Sequence, residues 1–171
     1  MSLRKNLYLC LALLFSFAAH AQSDSIQAPY LRFPHVPAFQ LLLGDSTTFY
    51  KKEALPKNKP LLLMLFSPEC SHCQHTAEEL VQHKEELKDI QVVMATLHTI
   101  SQMNAFADTY GLKALPNVVL GKDVYFLLPS FYNIHNLPYM AFYKANGDLI
   151  RTFEGSLPIE NVLTLFNKSG K

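Results

Sequence analysis

Two cysteines, Cys70 and Cys73, are separated by two residues in a chain of 171 residues that has one other cysteine. Two thiols at this spacing can form a disulfide and release it again, because a thiolate attacks a disulfide sulfur through a mixed-disulfide intermediate. An apolar run at residues 61–66 comes before the pair, and residues 74–88 carry the spacing of an amphipathic helix. A Cys-x-x-Cys motif between a strand and a helix indicates a redox site, so we predict thiol–disulfide exchange.

The two cysteines are predicted to have different roles. Cys70 stands at the N-terminus of the helix, where backbone N–H groups and the helix dipole stabilise a thiolate. Cys73 lies one turn later on the same side, within reach to resolve a mixed disulfide. The alternative is a permanent structural disulfide, but a loop closed over so few residues restrains the unfolded chain very little. We therefore predict Cys70 as the nucleophile and Cys73 as the resolving thiol.

Two neighbours are predicted to modulate the site. His72 lies between the cysteines, and a protonated or hydrogen-bonding imidazole there favours the Cys70 thiolate and so the reduced protein. A more stable reduced form makes a stronger oxidant. Glu69 stands directly before Cys70, and its carboxylate, if it lies close, raises the pKa of the Cys70 thiol and so opposes the effect of His72. The alternative for His72 is an exposed histidine without influence on the thiols.

Metal binding is an alternative use of the same segment. Cys70, His72, Cys73 and His75 are ligand types that suit copper or zinc. Residues spaced so tightly at a helix start cannot all converge on one ion without distorting the turn, and a second ligand cluster is missing. We therefore predict no metal site and no cofactor. Copper or zinc delivery stays open as an alternative function, as does a binding module without turnover.

The N-terminal residues have the pattern of a secretion signal. Arg4 and Lys5 precede an apolar stretch at residues 7–18, and a small-x-small cleavage site ends the predicted signal peptide, residues 1–21. The apolar stretch is about a dozen residues long, which is too short for a confident membrane span. Cys10 lies inside this segment and would be removed with it. We therefore predict export to the periplasm.

The remaining chain is predicted to form one domain. It has about 150 residues, enough for one hydrophobic core and too few for two ordinary domains. We expect an irregular lead at residues 22–37 and a domain at residues 38–171. The whole chain has 15 Lys and Arg against 14 Asp and Glu, so no basic excess argues for nucleic acid as a partner. We expect a monomer.

The hydrophobic pattern predicts an α/β fold. The predicted strands lie at residues 38–43, 47–50, 61–66, 91–97 and 117–120, with a hairpin at 139–144 and 149–153; the predicted helices lie at 74–88, between Ser101 and Gly111, at 124–133 and at 159–167. Alternating strands and helices, followed by a hairpin and a last helix, favour a mixed central sheet with helices on both faces.

These features resemble the thioredoxin superfamily, and within it the exported TlpA/ResA-like thiol–disulfide oxidoreductases. The resemblance rests on the signal, on a strand pair before the motif, on the sequence Phe-Ser-Pro-Glu-Cys-Ser-His-Cys at residues 66–73, and on Asn-Leu-Pro at residues 136–138 before the hairpin. It covers roughly residues 36–168. It implies a thioredoxin-like fold with an N-terminal strand extension, protein thiols or disulfides as substrates, and a redox partner, soluble or membrane-bound.

The resemblance also assigns residues outside the motif. Pro138 matches the cis-proline of the family, whose backbone faces the cysteines, so Leu137 is expected to touch substrate; the alternative is a trans-proline that opens an edge strand. Met64 stands where cytosolic thioredoxins have a buried carboxylate that helps to deprotonate the resolving cysteine. Glu69 stands where the family commonly has Trp. Both positions depart from the family pattern.

Overall fold

The structure is a computed structural model, and it describes residues 27–169. The predicted signal peptide, residues 1–21, lies outside these residues. The strands are β1 (Gln40–Leu42), β2 (Phe49–Lys51), β3 (Leu61–Leu65), β4 (Gln91–Thr96), β5 (Val118–Lys122), β6 (Tyr139–Tyr143) and β7 (Leu149–Glu154). The helices are α1 (Pro29–Arg32), α2 (Ser71–Gln82), α3 (Lys84–Leu87), α4 (Ile100–Thr109), α5 (Leu127–Tyr132) and α6 (Ile159–Ser169), with 3-10 turns at Lys52–Ala54 and Leu112–Ala114. Among the described helices, none is long and apolar enough to cross a membrane.

The seven strands form one sheet in the order β2-β1-β5-β4-β3-β6-β7. The central strands β3, β4 and β5 run parallel to each other. The strands at the two sides are paired antiparallel with their neighbours. Strands β1 and β2 are the N-terminal extension that the resemblance implies. The predicted α/β thioredoxin-like fold with a mixed sheet is therefore confirmed.

The sheet has a hydrophobic core on each face, because side chains alternate along a strand. In β3, Leu62 and Met64 contribute to one core, and Leu61 and Leu63 contribute to the other. Helices α2, α4 and α6 pack on the first face, and helix α5 packs on the second. Every residue of β3 is buried, as expected for an apolar run that is covered on both faces.

Three chain segments meet at one edge of this sheet. In the parallel pair, Leu65 at the end of β3 lies opposite Ala95 near the end of β4. In the antiparallel pair, the same Leu65 lies opposite Tyr139, the first residue of β6. The segments after β3, after β4 and before β6 therefore emerge side by side. The cysteine motif lies in the first of these segments, and Pro138 lies in the third.

The helix after the motif is shorter than its predicted range, residues 74–88. Helix α2 ends at Gln82, and α3 follows as a separate turn. The side-chain amide of Asn117 donates hydrogen bonds to the carbonyls of Leu87 and Ile90, both at 2.8 Å. These carbonyls are thus satisfied by a residue beside β5 and not by a continuing helix. The prediction of one helix over this range is wrong, because the helix is interrupted at His83; the hydrogen bonds from Asn117 lie beyond this break, at the end of α3.

The segment before β1 also differs from the predicted irregular lead at residues 22–37. Within it, Pro29–Arg32 forms helix α1. Tyr30 packs against Tyr132 of α5, with ring centroids 5.8 Å apart. The lead therefore contributes side chains to the core on the second face of the sheet. The predicted domain bounds, residues 38–171, stay a prediction.

Candidate active site

Cys70 stands at the start of α2. It is the N-cap residue, with extended backbone angles, and its carbonyl accepts the N–H of Gln74 at 3.0 Å. Its own N–H donates to the carbonyl of Ser67 at 3.2 Å, which closes the turn after β3. Cys70 is partly exposed. A substrate can therefore reach this residue from solvent, at the helix end where free N–H groups favour negative charge.

Cys73 lies in the first turn of α2 and is fully buried. Burial is the main cause that raises the pKa of the Cys73 thiol to about 12; a hydrogen bond from the Ser67 backbone opposes the rise, and the Cys70 side chain adds to it. The two sulfurs are free thiols and are not bonded to each other. At neutral pH a buried thiol of this kind is protonated and inert toward solvent. The two cysteines are thus chemically different.

Leu137 places its backbone next to the first cysteine. The Cys70 thiol donates a hydrogen bond to the carbonyl oxygen of Leu137, with 3.6 Å between sulfur and oxygen. The Leu137–Pro138 peptide bond is cis. Pro138 is buried, whereas Leu137 is partly exposed. The structure therefore brings together the two cysteines and the two residues that the resemblance assigned to substrate binding.

The loop that carries Leu137 is held by Glu154 at the end of β7. One carboxylate oxygen accepts the N–H of His135 at 3.1 Å, and the other accepts the side-chain amide of Asn136 at 2.9 Å. Burial acts to raise the pKa of Glu154, but the hydrogen bonds from Asn136 and His135 bring it below the usual value. Sequence reasoning did not identify Glu154 as part of this region. Its carboxylate holds the loop from β7, the edge strand next to β6.

His98 is a second residue that sequence reasoning missed. It follows β4, and its Nε2 atom lies 3.0 Å from the hydroxyl oxygen of Ser67. The same oxygen accepts the N–H of Glu69 at 3.3 Å. Both His98 and Ser67 are half-buried. Ser67 thus contacts both cysteines through its backbone and His98 through its side chain. The parallel pairing of β3 and β4 is the signal that could have placed His98 here, since both segments leave the same edge of the sheet.

The two predicted modulating residues are exposed. The carbonyl of His72 accepts hydrogen bonds from Thr76 and Ser156, at 2.9 Å and 3.3 Å. Among residues 27–169, neither the imidazole of His72 nor the carboxylate of Glu69 makes a hydrogen bond or ion pair with a cysteine sulfur. Both lie beside the site in sequence and face solvent. Their effect on the thiols stays a prediction.

Met64 is fully buried in the same hydrophobic cluster as Cys73. At this position cytosolic thioredoxins have a buried carboxylate. Methionine cannot accept a proton, and Cys70 is the titratable neighbour that affects Cys73. Cys73 therefore lies in an apolar surrounding, with the Ser67 backbone as a polar contact.

The candidate metal ligands do not converge. In the part of the chain that the structure describes, no group of three or more His, Cys, Asp and Glu side chains is arranged to hold a metal ion. His75 is exposed and faces Glu78 on its own helix, at 3.8 Å. Cys73 points into the core. The geometry therefore gives the copper or zinc alternative no support.

A mixed sheet with a Cys-x-x-Cys pair at the start of a helix, beside a cis-proline, defines the thioredoxin-fold class of proteins. The chain belongs to the thioredoxin-like domain family, whose pattern matches residues 50–170. No curated protein sequence matches this chain. Membership of the family agrees with the resemblance seen in the sequence.

Solved structures show the same fold at low sequence identity. A secreted Mycobacterium tuberculosis disulfide oxidoreductase, homologous to E. coli DsbE, superposes with a TM-score of 0.63 at 19% identity, over 75% of this chain and 93% of that one. StoA from Bacillus subtilis gives 0.59 at 16% identity, over 77% and 98%. A 2-Cys peroxiredoxin from Plasmodium vivax gives 0.64 at 14% identity, over 80% and 94%. Because proteins with different chemistry share this fold, the activity has to be argued from the site.

Proposed function

We propose that this protein is an exported, periplasmic thiol–disulfide oxidoreductase that exchanges disulfides with other proteins. The observation that carries the proposal is the pairing of an accessible Cys70 with a fully buried Cys73 at the start of one helix. An accessible thiol can attack a substrate, and a buried one can act only on its neighbour. The family membership supports the same chemistry.

The reaction begins at Cys70. Its thiolate attacks one sulfur of a substrate disulfide, a new S–S bond forms, and the other substrate sulfur leaves as a thiolate that takes up a proton. The helix N-terminus stabilises the negative charge of the attacking sulfur. At the end of this step the substrate is joined to Cys70 by a mixed disulfide.

The second step belongs to Cys73. Its sulfur attacks Cys70, the Cys70–substrate bond breaks, and the second substrate sulfur leaves and takes up the proton that Cys73 loses. Two electrons and two protons have then passed to the substrate, and the protein holds a Cys70–Cys73 disulfide. The N–H of Ser67, which lowers the pKa of Cys73 against the effect of burial, favours the thiolate that this step requires.

The Leu137 carbonyl is proposed to orient the substrate. In the free dithiol protein it accepts the Cys70 S–H at 3.6 Å. A mixed disulfide has no S–H, so the carbonyl loses its donor and can accept a backbone N–H from an extended substrate segment instead. Leu137 then contacts the substrate beside the reacting bond.

The same steps run in reverse when the protein oxidises dithiols. The direction of net electron flow depends on the potential of the Cys70–Cys73 pair relative to that of its redox partner. His72 is proposed to stabilise the reduced form and Glu69 to oppose this effect.

The proposal is tested by trapping substrates. Purified protein should cycle between a dithiol and an intramolecular disulfide, which thiol alkylation distinguishes by mass. Cys73→Ser should accumulate mixed disulfides through Cys70, because the resolving thiol is missing, and Cys70→Ser should accumulate none. The matched pair of variants controls for the loss of one thiol.

The opposite pattern, with trapping by Cys70→Ser alone, would reverse the two roles. If neither variant trapped a substrate and the wild type purified with bound copper or zinc, metal delivery would replace the proposal. If neither variant trapped a substrate and no metal was bound, a binding module without turnover would be the better description.

A further inference from the structure

An open cavity of about 390 Å³ lies at the end of the sheet away from the cysteines. It is bordered by Leu61 and Gln91, the first residues of β3 and β4, whereas Cys70 follows the last residue of β3. Its lining also includes four lysines, which are Lys52, Lys57, Lys59 and Lys144. We call it the cationic cavity.

The charges of the cationic cavity have one sign. Four of its lining residues are lysines and none is aspartate or glutamate, although the whole chain has nearly equal numbers of basic and acidic residues. Among the described residues, none of these four lysines is part of an ion pair. Lys59 donates to the carbonyl of Lys88 at 3.0 Å, a contact that leaves its charge uncompensated. Ammonium groups gathered around one concave surface repel each other and create a positive potential there.

The acidic side chain beside the cavity is already engaged. Asp148 lies 3.0 Å from Nδ1 of His35, and its other carboxylate oxygen accepts the side-chain amide of Asn146 at 2.7 Å. Its backbone N–H donates to the same asparagine at 3.0 Å. Asp148 is therefore held against the cavity wall. Its two carboxylate oxygens face His35 and Asn146, and within residues 27–169 it forms no ion pair with the four lysines.

Part of the remaining wall is apolar. Val36 and Leu61 are buried, and Leu55 and Pro56 also line the cavity, beside the polar side chains of His35, Gln91 and Asn146. A cavity of this size with apolar walls and a few polar groups fits a small organic molecule. No arginine lines it. Lysine binds an anion as a point charge. A phosphate monoester carries close to two negative charges at neutral pH, so it matches several lysines better than a carboxylate with a single charge.

We propose that the cationic cavity binds a phosphate monoester that carries an apolar group. The lysines hold the phosphate, and the apolar wall holds the rest of the ligand. The phosphate could come from a soluble ester or from an anionic lipid headgroup, so the experiment separates these two sources. The site does not depend on the proposed redox function, because it lies at the opposite end of the sheet.

The test is isothermal titration of the purified full chain with phenyl phosphate. We expect binding at one site that weakens as salt is raised, because salt screens exposed charges. The double variant Lys57→Gln/Lys144→Gln should weaken binding at least tenfold. The control is Lys84→Gln/Lys168→Gln, which makes the same change in net charge at exposed lysines outside the cavity. Its binding should equal that of the wild type.

A parallel arm uses vesicles of phosphatidic acid, whose headgroup is a phosphate monoester, mixed with phosphatidylcholine. Sedimentation with these vesicles that the cavity variant loses and the control retains, without binding of phenyl phosphate, would assign the cavity to a lipid headgroup. Equal affinity in the two double variants, or no binding in either arm, would overturn the proposal. Disulfide exchange should stay at the wild-type rate in both variants, so this result stands apart from the test of the redox function.

Discussion

The sulfur of Cys70 lies 3.6 Å from the backbone carbonyl oxygen of Leu137, a residue 67 positions later in the chain. The contact exists because β3 and β6 are paired with Leu65 opposite Tyr139, which brings the segment after one strand beside the segment before the other. The partly exposed thiol of Cys70 thus has a backbone acceptor beside it. Substrate binding beside Leu137 and the properties of the Cys70 and Cys73 thiols can be measured in separate experiments.

The first prediction concerns Leu137→Ala. The change keeps the carbonyl beside Cys70 and removes the partly exposed side chain that a protein substrate would contact. We expect mixed-disulfide formation with a protein or peptide disulfide to become about fivefold slower, since roughly 1 kcal/mol of apolar contact is lost. Reaction with a small disulfide such as oxidised glutathione should keep its rate. Stopped-flow measurement with both substrates checks this, with Leu31→Ala as a control at an exposed leucine. Equal slowing with both substrates would contradict the role of the side chain.

The second prediction concerns pH and Cys73. Its pKa rises from about 9 to about 12 on folding, so the reduced protein is fully stabilised below pH 9, and this contribution is lost as pH rises toward 12. Between pH 9 and 10 the free energy of unfolding should fall by about 1 kcal/mol more in the reduced wild type than in Cys73→Val. Urea unfolding at pH 7, 9 and 10 provides the comparison. Parallel curves for the two proteins would show that Cys73 does not carry the shift.

The third prediction concerns the contact between Ser67 and His98. His98→Phe keeps an aromatic ring and removes the 3.0 Å hydrogen bond. Because Ser67 supplies the N–H that favours the Cys73 thiolate, we expect resolution of the mixed disulfide to slow about fivefold, as for one hydrogen bond of about 1 kcal/mol. The first attack by Cys70 should keep its rate. Single-turnover kinetics with a peptide disulfide separate the two steps.

Two further variants distinguish positioning from a general loss of structure. His98→Gln can still hydrogen-bond Ser67 and should restore most of the resolution rate. His75→Phe, at an exposed histidine of α2, should behave like the wild type. Slowing of both steps in His98→Phe, or no rescue by His98→Gln, would argue against the role of this contact.

The fourth prediction concerns the redox potential. If His72 stabilises the Cys70 thiolate, the wild-type potential should be less negative than that of thioredoxin, about −270 mV, without reaching the DsbA value of about −120 mV. His72→Gln should lower the potential by about 5–20 mV, a small change because His72 is exposed. Glu69→Gln should raise it by a similar amount. Titration in glutathione buffers measures the potential, and His75→Gln is the control. A wild-type value at or below that of thioredoxin would instead favour a reductase.

Much of the local structure could be predicted from the sequence. The apolar run before the cysteines is strand β3, and the Asn146-Gly147 turn joins β6 to β7 with Gly147 at a positive φ of 88°. Such features can be predicted because they depend on residues that are close together in the chain, whose types and spacing are visible in the sequence. Helix α1, within the predicted irregular lead, was missed for the opposite reason. Its Tyr30 packs against Tyr132, a residue from a different part of the fold.

The sequence by itself predicts thiol–disulfide exchange, because Cys70 and Cys73 at one helix start form a local pattern that is complete within four residues. Only the tertiary structure decided which groups surround them. The pairing of β3 with β4 and β6 brings His98 to Ser67 and Leu137 to Cys70, and it gathers lysines from separate segments around one cavity. Strand register is set by how side chains pack on both faces of the sheet. That packing brings together residues that are distant in the chain, so no single stretch of sequence shows these contacts.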